Sequence, residues 1–163
     1  MYWVMVKMHD LNDEYLKECI HFLESCINAL KDFDLRTFVS RFYYGVLYLL
    51  NAFEYNIKKD VENWHNKDRY LNFSKKIRNF LMDLKLYRHA SDYILSPKLE
   101  HGKHYEEHWE EFKESYLRLK FFHYLHILRQ ELYTYRKNQL ISIIIEKLEI
   151  IEKLLKLYIM LEE

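Results

Sequence analysis

The sequence predicts an all-α protein, and three observations support this prediction. Only two glycines and one proline occur among the 163 residues, whereas average usage would give about 20 of these residues together. Sandwiches, barrels and doubly wound sheets need glycine or proline at many corners, and phosphate-binding loops need several glycines. Half of the residues are hydrophobic, 31% are charged, and segments with helical periodicity follow one another between short polar breaks. We therefore expect a single helical domain over residues 1–163.

The first two helices are predicted from the spacing of apolar residues. Residues 10–32 begin with three polar residues that are able to cap a helix, and apolar side chains then recur every three or four residues. The capping candidates are Asp10, Asn12 and Asp13. Residues 35–56 are apolar almost all round, so the second helix should lie at the centre of the protein.

Three further helices are predicted after a polar linker at residues 57–67. The third covers about residues 68–94 and ends before Pro97, which cannot continue a helix. The fourth covers about residues 105–137, with a kink, and the fifth covers about residues 139–162. The first four helices form the core of the domain, and the fifth is an amphipathic C-terminal helix.

The fifth helix carries a heptad-like seam, for which two interpretations stay open. Its apolar residues repeat at alternating spacings of three and four. They are Ile141, Ile144, Leu148, Ile151, Leu155 and Tyr158. The seam either packs against its own bundle or joins two subunits as a coiled coil.

Charge and cysteine content limit the classes of partner. The formal net charge is zero, so the whole molecule does not attract nucleic acid or anionic lipid, although local patches can. No apolar stretch approaches the roughly 18 residues of a membrane span, and we expect a cytoplasmic protein without membrane contact. Cys19 and Cys26 lie seven residues apart, about 10 Å along a helix, which is too far for a disulfide. They are predicted to be small core residues.

Arg88 is the first candidate functional residue, because it falls inside the apolar stripe of the third helix. That stripe consists of Tyr70, Phe73, Ile77, Phe80, Leu81, Leu84 and Tyr87. An arginine in such a stripe needs an anionic partner or an opening onto a cleft, since desolvating an unpaired charge is costly. Asp92, one turn later, is the obvious structural partner. The functional alternative is that Arg88 meets a phosphate group at a bundle or subunit seam.

Charge is segregated along the neutral chain. Residues 67–88 carry seven basic and two acidic side chains, and residues 99–116 carry two basic and six acidic ones. Lys75, Arg78 and Lys85 share one exposed strip that is able to follow an RNA backbone. The alternatives are an ordinary solvated face and a surface for an acidic partner.

Two segments resemble the HEPN superfamily over about residues 10–130. The second helix contains Ser40-Arg41-Phe42-Tyr43-Tyr44-Gly45 and then Leu49-Leu50-Asn51-Ala52, which is similar to the "R-x-Tyr-Tyr-Ala … ALL" helix of that superfamily. The third helix ends with Leu86-Tyr87-Arg88-His89-Ala90-Ser91-Asp92-Tyr93, which resembles the "L-x-x-R-x-x-A-D-Y" helix of its small prokaryotic members.

The resemblance implies a HEPN-like up-and-down helical bundle of four main helices, here followed by the C-terminal helix. It also implies a homodimer in which the third helices face each other. Many members are metal-independent endoribonucleases, often toxins paired with a small nucleotidyltransferase that neutralises them. Their motif is an arginine, a polar residue, usually three further residues and a histidine. Arg88 and His89 match its first two positions. In the family the second helix lies beside this motif, so Arg41 and Tyr44 either line the same cleft or, in the structural alternative, fill the bundle with their polar tips hydrogen-bonded.

This chain departs from the motif at one position, where Tyr93 replaces the histidine. Metal-free cleavage needs a group that accepts the 2′-hydroxyl proton, for which a histidine with a pKa of about 6.5 suits better than a tyrosine with a pKa of about 10. The catalytic candidates are Arg88 to meet phosphate, His89 to assist, Asp92 to orient Arg88, and Tyr93 in place of the base. The alternatives are a non-catalytic HEPN-like module that binds nucleotide, RNA or a protein partner, and a helical scaffold without a link to nucleic acid.

The remaining histidines give weaker signals. On the fourth helix a helical stripe places His123 and His126 among apolar residues, which favours core or interface histidines. The stripe also includes Trp109, Phe112, Tyr116, Leu119 and Ile127. A metal site at His101, His104 and His108 is the alternative to a solvated acidic face, and we predict neither a metal nor a cofactor.

Overall fold

The computed structural model describes residues 11–54 and 75–162 and shows a bundle of helices. The helices are α1 (Asp13–Lys31), α2 (Leu35–Glu54), α3 (Lys75–Asp92), α4 (Tyr105–Glu111), a π-helical segment (Phe112–Phe121), α5 (Phe122–Tyr133) and α6 (Gln139–Glu162). A short hairpin of β1 (Leu99–Glu100) and β2 (Lys103–His104) separates α3 from α4. Because α4, the π segment and α5 follow without a break, they form one long helix. The all-α prediction is confirmed.

The helices run up and down, and the last one closes the bundle. The Arg36 side chain, at the start of α2, donates a hydrogen bond to the carbonyl of Ser91 at the end of α3. The same antiparallel relation holds between α3 and the long helix, since Phe80 stacks on Tyr124 while Tyr87 contacts Phe112. Helix α6 packs against both α5 and α1. Residues 11–54 and 75–162 therefore form four main helices plus a C-terminal helix, as predicted.

Polar side chains fix the helix starts. Asn12, one of the predicted caps, accepts a hydrogen bond from the Tyr15 amide, and Asp10 lies outside the described residues. Asp34 accepts hydrogen bonds from the amide and hydroxyl of Thr37, which lower the pKa of its carboxyl. Asn138 accepts from the first amides of α6 in the same way. These caps explain why the predicted and observed starts agree closely.

The ends of two helices were predicted too far along the chain. Helix α3 ends at Asp92 rather than at residue 94, and α5 ends at Tyr133 rather than at residue 137. The last residues of α2, the polar linker 57–67 and the predicted start of the third helix lie outside the described residues. The hairpin was not predicted, because each of its strands has only two residues. Its turn places both His101 and Gly102 at positive φ, as a two-residue hairpin loop requires.

Aromatic rings form the centre of the core. Phe121 lies with its ring centroid 5.2 Å from that of Phe42 and 5.4 Å from that of Phe80. Phe38 packs against both Phe42 and Phe121, and all four rings are fully buried. Three different helical segments therefore meet at this cluster.

The apolar stripe predicted for the fourth helix is wrong beyond Tyr116. Leu119 is 77% exposed, and His123 and His126 are also exposed, while Leu117 and Phe121 are buried. The cause is the π-helical segment, whose i→i+5 hydrogen bonds widen the turn and shift the inward face. A stripe assigned with the α-helical 3.6 residues per turn therefore no longer marks the buried side of the helix beyond that segment.

Packing accounts for one glycine and tests two predictions. Gly45 lies at a close approach of α1 and α2, where an added Cβ would come within 3.3 Å of the Leu23 side chain. Cys19 and Cys26 are buried and not joined by a disulfide, as predicted. The heptad seam of α6 is buried from Ile141 to Leu155, so it packs against its own bundle, which was one of the two interpretations of that seam.

No helix among the described residues has the length and hydropathy needed to cross a membrane.

Candidate functional site

Arg88 lies between α2 and α3, and its charge has several partners there. Its Nη1 donates a hydrogen bond of 2.8 Å to the Tyr44 hydroxyl. The guanidinium carbon lies 5.4 Å from the centre of the Tyr43 ring and 5.2 Å from that of Tyr44, within the range of cation–π attraction. Nε of Arg88 lies 3.8 Å from Oδ2 of Asp92. The side chain is only 12% exposed, so in this arrangement Arg88 mainly joins α2 to α3.

Asp92 also borders a polar cavity between the start of α2 and the end of α3. The cavity has a volume of about 470 Å³. It is lined by Asp34, Arg36, Thr37, Ser40, Arg41, Ser91 and Asp92. The structure therefore places Arg41 beside the motif helix, as the resemblance implied, and Tyr44 in direct contact with Arg88. Two arginines and two carboxylates share this cavity, so its formal charges balance.

His89 faces the hairpin rather than this cavity. Its Nδ1 lies 3.5 Å from Oε2 of Glu100, and a quarter of its side chain is exposed. Burial and the neighbouring positive charge of Arg88 lower the pKa of His89, although Glu100 acts in the opposite direction. A lowered pKa keeps the imidazole neutral near pH 7, which is the form that accepts a proton.

Tyr93 follows the last residue of α3 and is 52% exposed. Its amide still bonds to the carbonyl of His89, four residues earlier, which holds it in register with the helix. The ring centroids of Tyr93 and His89 are 6.1 Å apart. Tyr93 and His89 are thus neighbours, whereas Arg88 points to a different side of α3.

The basic strip shares the face of α3 that carries His89. At about 100° per residue, Lys75, Arg78, Lys85 and His89 fall within a sector of about 80°, and Tyr93 continues it. Lys75 is exposed, and Arg78 and Lys85 are partly exposed. The strip from Lys75 to Tyr93 is about 27 Å long at 1.5 Å per residue. Positive charge therefore lines one side of α3 and leads to the His89–Tyr93 pair.

His108 supports the hairpin, whereas His101 and His104 are exposed. One ring nitrogen of His108, Nε2, lies 2.6 Å from the carbonyl oxygen of Glu100, and His108 is buried. Glu111 accepts a hydrogen bond from the Tyr87 hydroxyl and lies 3.6 Å from Nζ of Lys103. Among residues 11–54 and 75–162, no three histidine, cysteine or acidic side chains are grouped closely enough to hold a metal ion.

Sequence reasoning missed three residues that shape the site. Arg36 and Ser91 join the two motif helices by a side chain to backbone hydrogen bond, and Glu100 lies beside His89. Arg36 had one available signal, its position in the first turn of α2 close to Arg41. Glu100 gave no signal, because only the hairpin brings it back to α3.

Comparison with known proteins identifies one close relative. The chain is 86% identical over 160 residues to a protein of Methanocaldococcus jannaschii described as "Uncharacterized protein MJ0427", and the match covers 98% of this chain and all of that protein. No family model matches the chain. No solved structure matches it either. High identity over the full length establishes common descent and a common fold, so the chain belongs to the same family as the M. jannaschii protein.

Proposed function

We propose that this chain is a HEPN-like, RNA-directed protein of the cytoplasm that forms a homodimer and pairs with a nucleotidyltransferase, as toxin and antitoxin do. The family assignment rests on the two motif segments of α2 and α3. The observation that carries the RNA-directed function is the shared face of α3, on which Lys75, Arg78 and Lys85 lead to His89 and Tyr93. Phosphate contacts by such basic side chains supply most of the non-specific affinity for nucleic acid.

The same face offers the groups that metal-independent cleavage needs. Neutral His89 accepts the proton of a ribose 2′-hydroxyl, and the resulting oxygen attacks the adjacent phosphorus. The bond to the 5′-oxygen breaks, that oxygen takes up a proton, and the products are a 2′,3′-cyclic phosphate and a 5′-hydroxyl. In this proposed step Tyr93, which is exposed beside His89, donates this proton. Burial, and then the positive charge of Arg88 behind the site, lower the pKa of His89.

A second function, a non-catalytic HEPN-like module that binds RNA, nucleotide or a protein partner, is favoured by the state of Arg88. Its side chain is 12% exposed and bonded to Tyr44, so it has little surface left to meet a phosphate. The tyrosine at the position of the motif histidine supports the same interpretation. The two functions differ in one measurable property, which is cleavage.

RNA binding is tested by reversing the charge of the strip. In the variant Lys75→Glu, Arg78→Glu, Lys85→Glu we expect the affinity for single-stranded RNA to fall at least about tenfold at low salt, with a weaker salt dependence. The matched control changes three exposed lysines elsewhere, Lys17, Lys98 and Lys137, to glutamate. Equal losses in both variants, or no binding by the parent at low salt, would remove the RNA-directed function.

Cleavage is tested on the same RNA in the presence of EDTA. His89→Gln should abolish the cyclic-phosphate product and leave RNA affinity within about threefold of the parent, because the strip is unchanged. Arg88→Ala should also reduce cleavage and the growth arrest caused by expression. Binding without cleavage in the parent protein would establish the non-catalytic module instead.

A further inference from the structure

Helix α6 carries a second apolar stripe, separate from the buried seam. Ile143, Ile150 and Leu157 follow one another at intervals of seven residues and are 39%, 37% and 49% exposed. Leu161, a further turn along, is also exposed. At 3.6 residues per turn these side chains stay on one side of the helix over about 27 Å. An apolar stripe of this length on a helix face is typical of an interaction surface.

The stripe runs into an apolar groove between α1 and α6. The groove has a volume of about 200 Å³. It is lined by Leu30, Lys31, Phe33, Leu154, Leu157 and Tyr158. Phe33, at the turn between α1 and α2, has a positive φ. Its ring is exposed although it is large and apolar. Leu157 thus belongs both to the stripe and to a recess able to accept an apolar side chain.

Two opposite charges lie beside the stripe, Glu146 four residues before Ile150 and Lys153 three residues after it. Glu146 and Lys153 are exposed, and each lies on the same edge of the stripe at helical spacing. Within residues 11–54 and 75–162, neither is paired with an opposite charge within 4.0 Å. The position halfway between Ile143 and Leu157 is residue 150. The position halfway between Glu146 and Lys153 is half a residue earlier, so the two centres differ by about 0.75 Å along the helix axis.

We propose that the exposed stripe of α6 binds a second copy of this chain, with the two α6 helices antiparallel about a two-fold axis at Ile150. In this arrangement Ile150 meets its own counterpart, and Ile143 lies opposite Leu157 of the partner subunit, beside the groove. Glu146 lies next to Lys153 of the partner subunit, and the symmetry repeats this pair. The stripe is therefore complementary to itself in both shape and charge, as an isologous interface requires.

The charges select the direction of packing. In a parallel pair with a two-fold axis along the helices, the edge that carries Glu146 and Lys153 lies on opposite sides of the contact in the two subunits, so these charges do not meet. The antiparallel pair brings both edges to the same side and forms two attractive contacts. A complex with a different protein would not explain why the two halves of the stripe are complementary to each other in shape and charge.

This interface is separate from the proposed function. Helix α6 packs against α1 and α5, whereas α3 packs against α2 and the long helix. Substitutions on the α6 stripe should therefore leave RNA binding by α3 unchanged, and loss of the RNA-directed function would leave α6 association intact. Because a dimer through α3 is also expected, the measured quantity is the change that α6 variants cause in the association constant.

Charge reversal and its repair give the sharpest test. Glu146→Lys alone and Lys153→Glu alone should each weaken association at least about tenfold in sedimentation velocity, since each replaces two attractive pairs by two repulsive ones. An equimolar mixture of the two variants restores both opposite-charge pairs in a heterodimer, so its association should return to within about threefold of the parent. A mixture no stronger than the single variants would overturn the proposal.

A cysteine at the axis tests the geometry independently. Ile150→Cys should form a disulfide between two chains under mild oxidation, because the axis brings the two positions close together, within the roughly 7 Å that a disulfide needs. Cys19 and Cys26 are buried, and burial raises the pKa of both thiols, so they do not compete. Leu119→Cys, exposed on the π segment, is the matched control and should stay reduced. Equal crosslinking of both variants, or none of Ile150→Cys, would overturn the proposal.

Discussion

The aromatic core and the polar end of α3 bury their side chains by different means. The core is a cluster of aromatic rings in contact, those of Phe38, Phe42, Phe80 and Phe121. The removal of their apolar area from water stabilises the folded state. At the end of α3, Arg88 is nearly as buried, but it depends on particular partners in Tyr44 and Asp92. Apolar burial depends on how much area is removed from water and not on the direction of single contacts, whereas polar burial requires each partner to be in place.

The largest expected effect lies in the aromatic core. Phe121→Ala removes a fully buried ring that contacts rings of both α2 and α3, and a large-to-small change of this kind costs about 3–5 kcal/mol of unfolding free energy. Urea denaturation followed by circular dichroism measures the loss.

Leu119→Ala serves as the control for the core. Leu119 lies two residues earlier and is 77% exposed, so its unfolding free energy should stay within about 0.5 kcal/mol of the parent. A comparable loss in both variants would mean that the π segment does not set the inward face as described.

A smaller effect is expected at the polar end of α3. Tyr44→Phe removes the hydroxyl that accepts the hydrogen bond of Arg88, and leaving this largely buried donor without a partner should cost about 1–3 kcal/mol. Arg88→Met removes the charge itself. Because both variants break the same interaction, the double variant should lose less stability than the sum of the single variants, which a double-mutant cycle measures. Strict additivity would show that the two side chains do not depend on each other.

The smallest effect concerns pH. Burial and Arg88 lower the pKa of His89 in the folded protein, so below a pH of about 6.5 the unfolded chain binds more protons than the folded one. The free energy of unfolding that the protein has at pH 7, where His89 is neutral, therefore decreases as the pH falls from about 6.5 toward the lower pKa of His89 in the folded state. His89→Gln should show a shallower loss between pH 7 and pH 5 in denaturation experiments. Identical pH profiles for parent and variant would contradict this assignment.

How much could be predicted from sequence differs between elements. The bounds of α6 agree with prediction, because its apolar periodicity is regular and Asn138 caps its start. The π segment was missed, since i→i+5 bonding leaves no mark in a pattern read at 3.6 residues per turn. For the candidate site, the basic strip and the closeness of Tyr44 to Arg88 followed from α-helical spacing and the motif segments. The position of Glu100 beside His89 did not, because it depends on the path of the hairpin.

By itself, the sequence determined the all-α class, the order of the helices, the capped start of the first helix and the line of positive charge on α3. These properties are local, since they depend on side chains within a few turns of one another. Only the tertiary structure decided that Arg88 points into the α2–α3 interface, that His89 lies beside Glu100, and which of the two apolar stripes of α6 stays exposed. Each of these depends on contacts between residues far apart in the chain, and the geometry of such contacts is set by how whole helices pack.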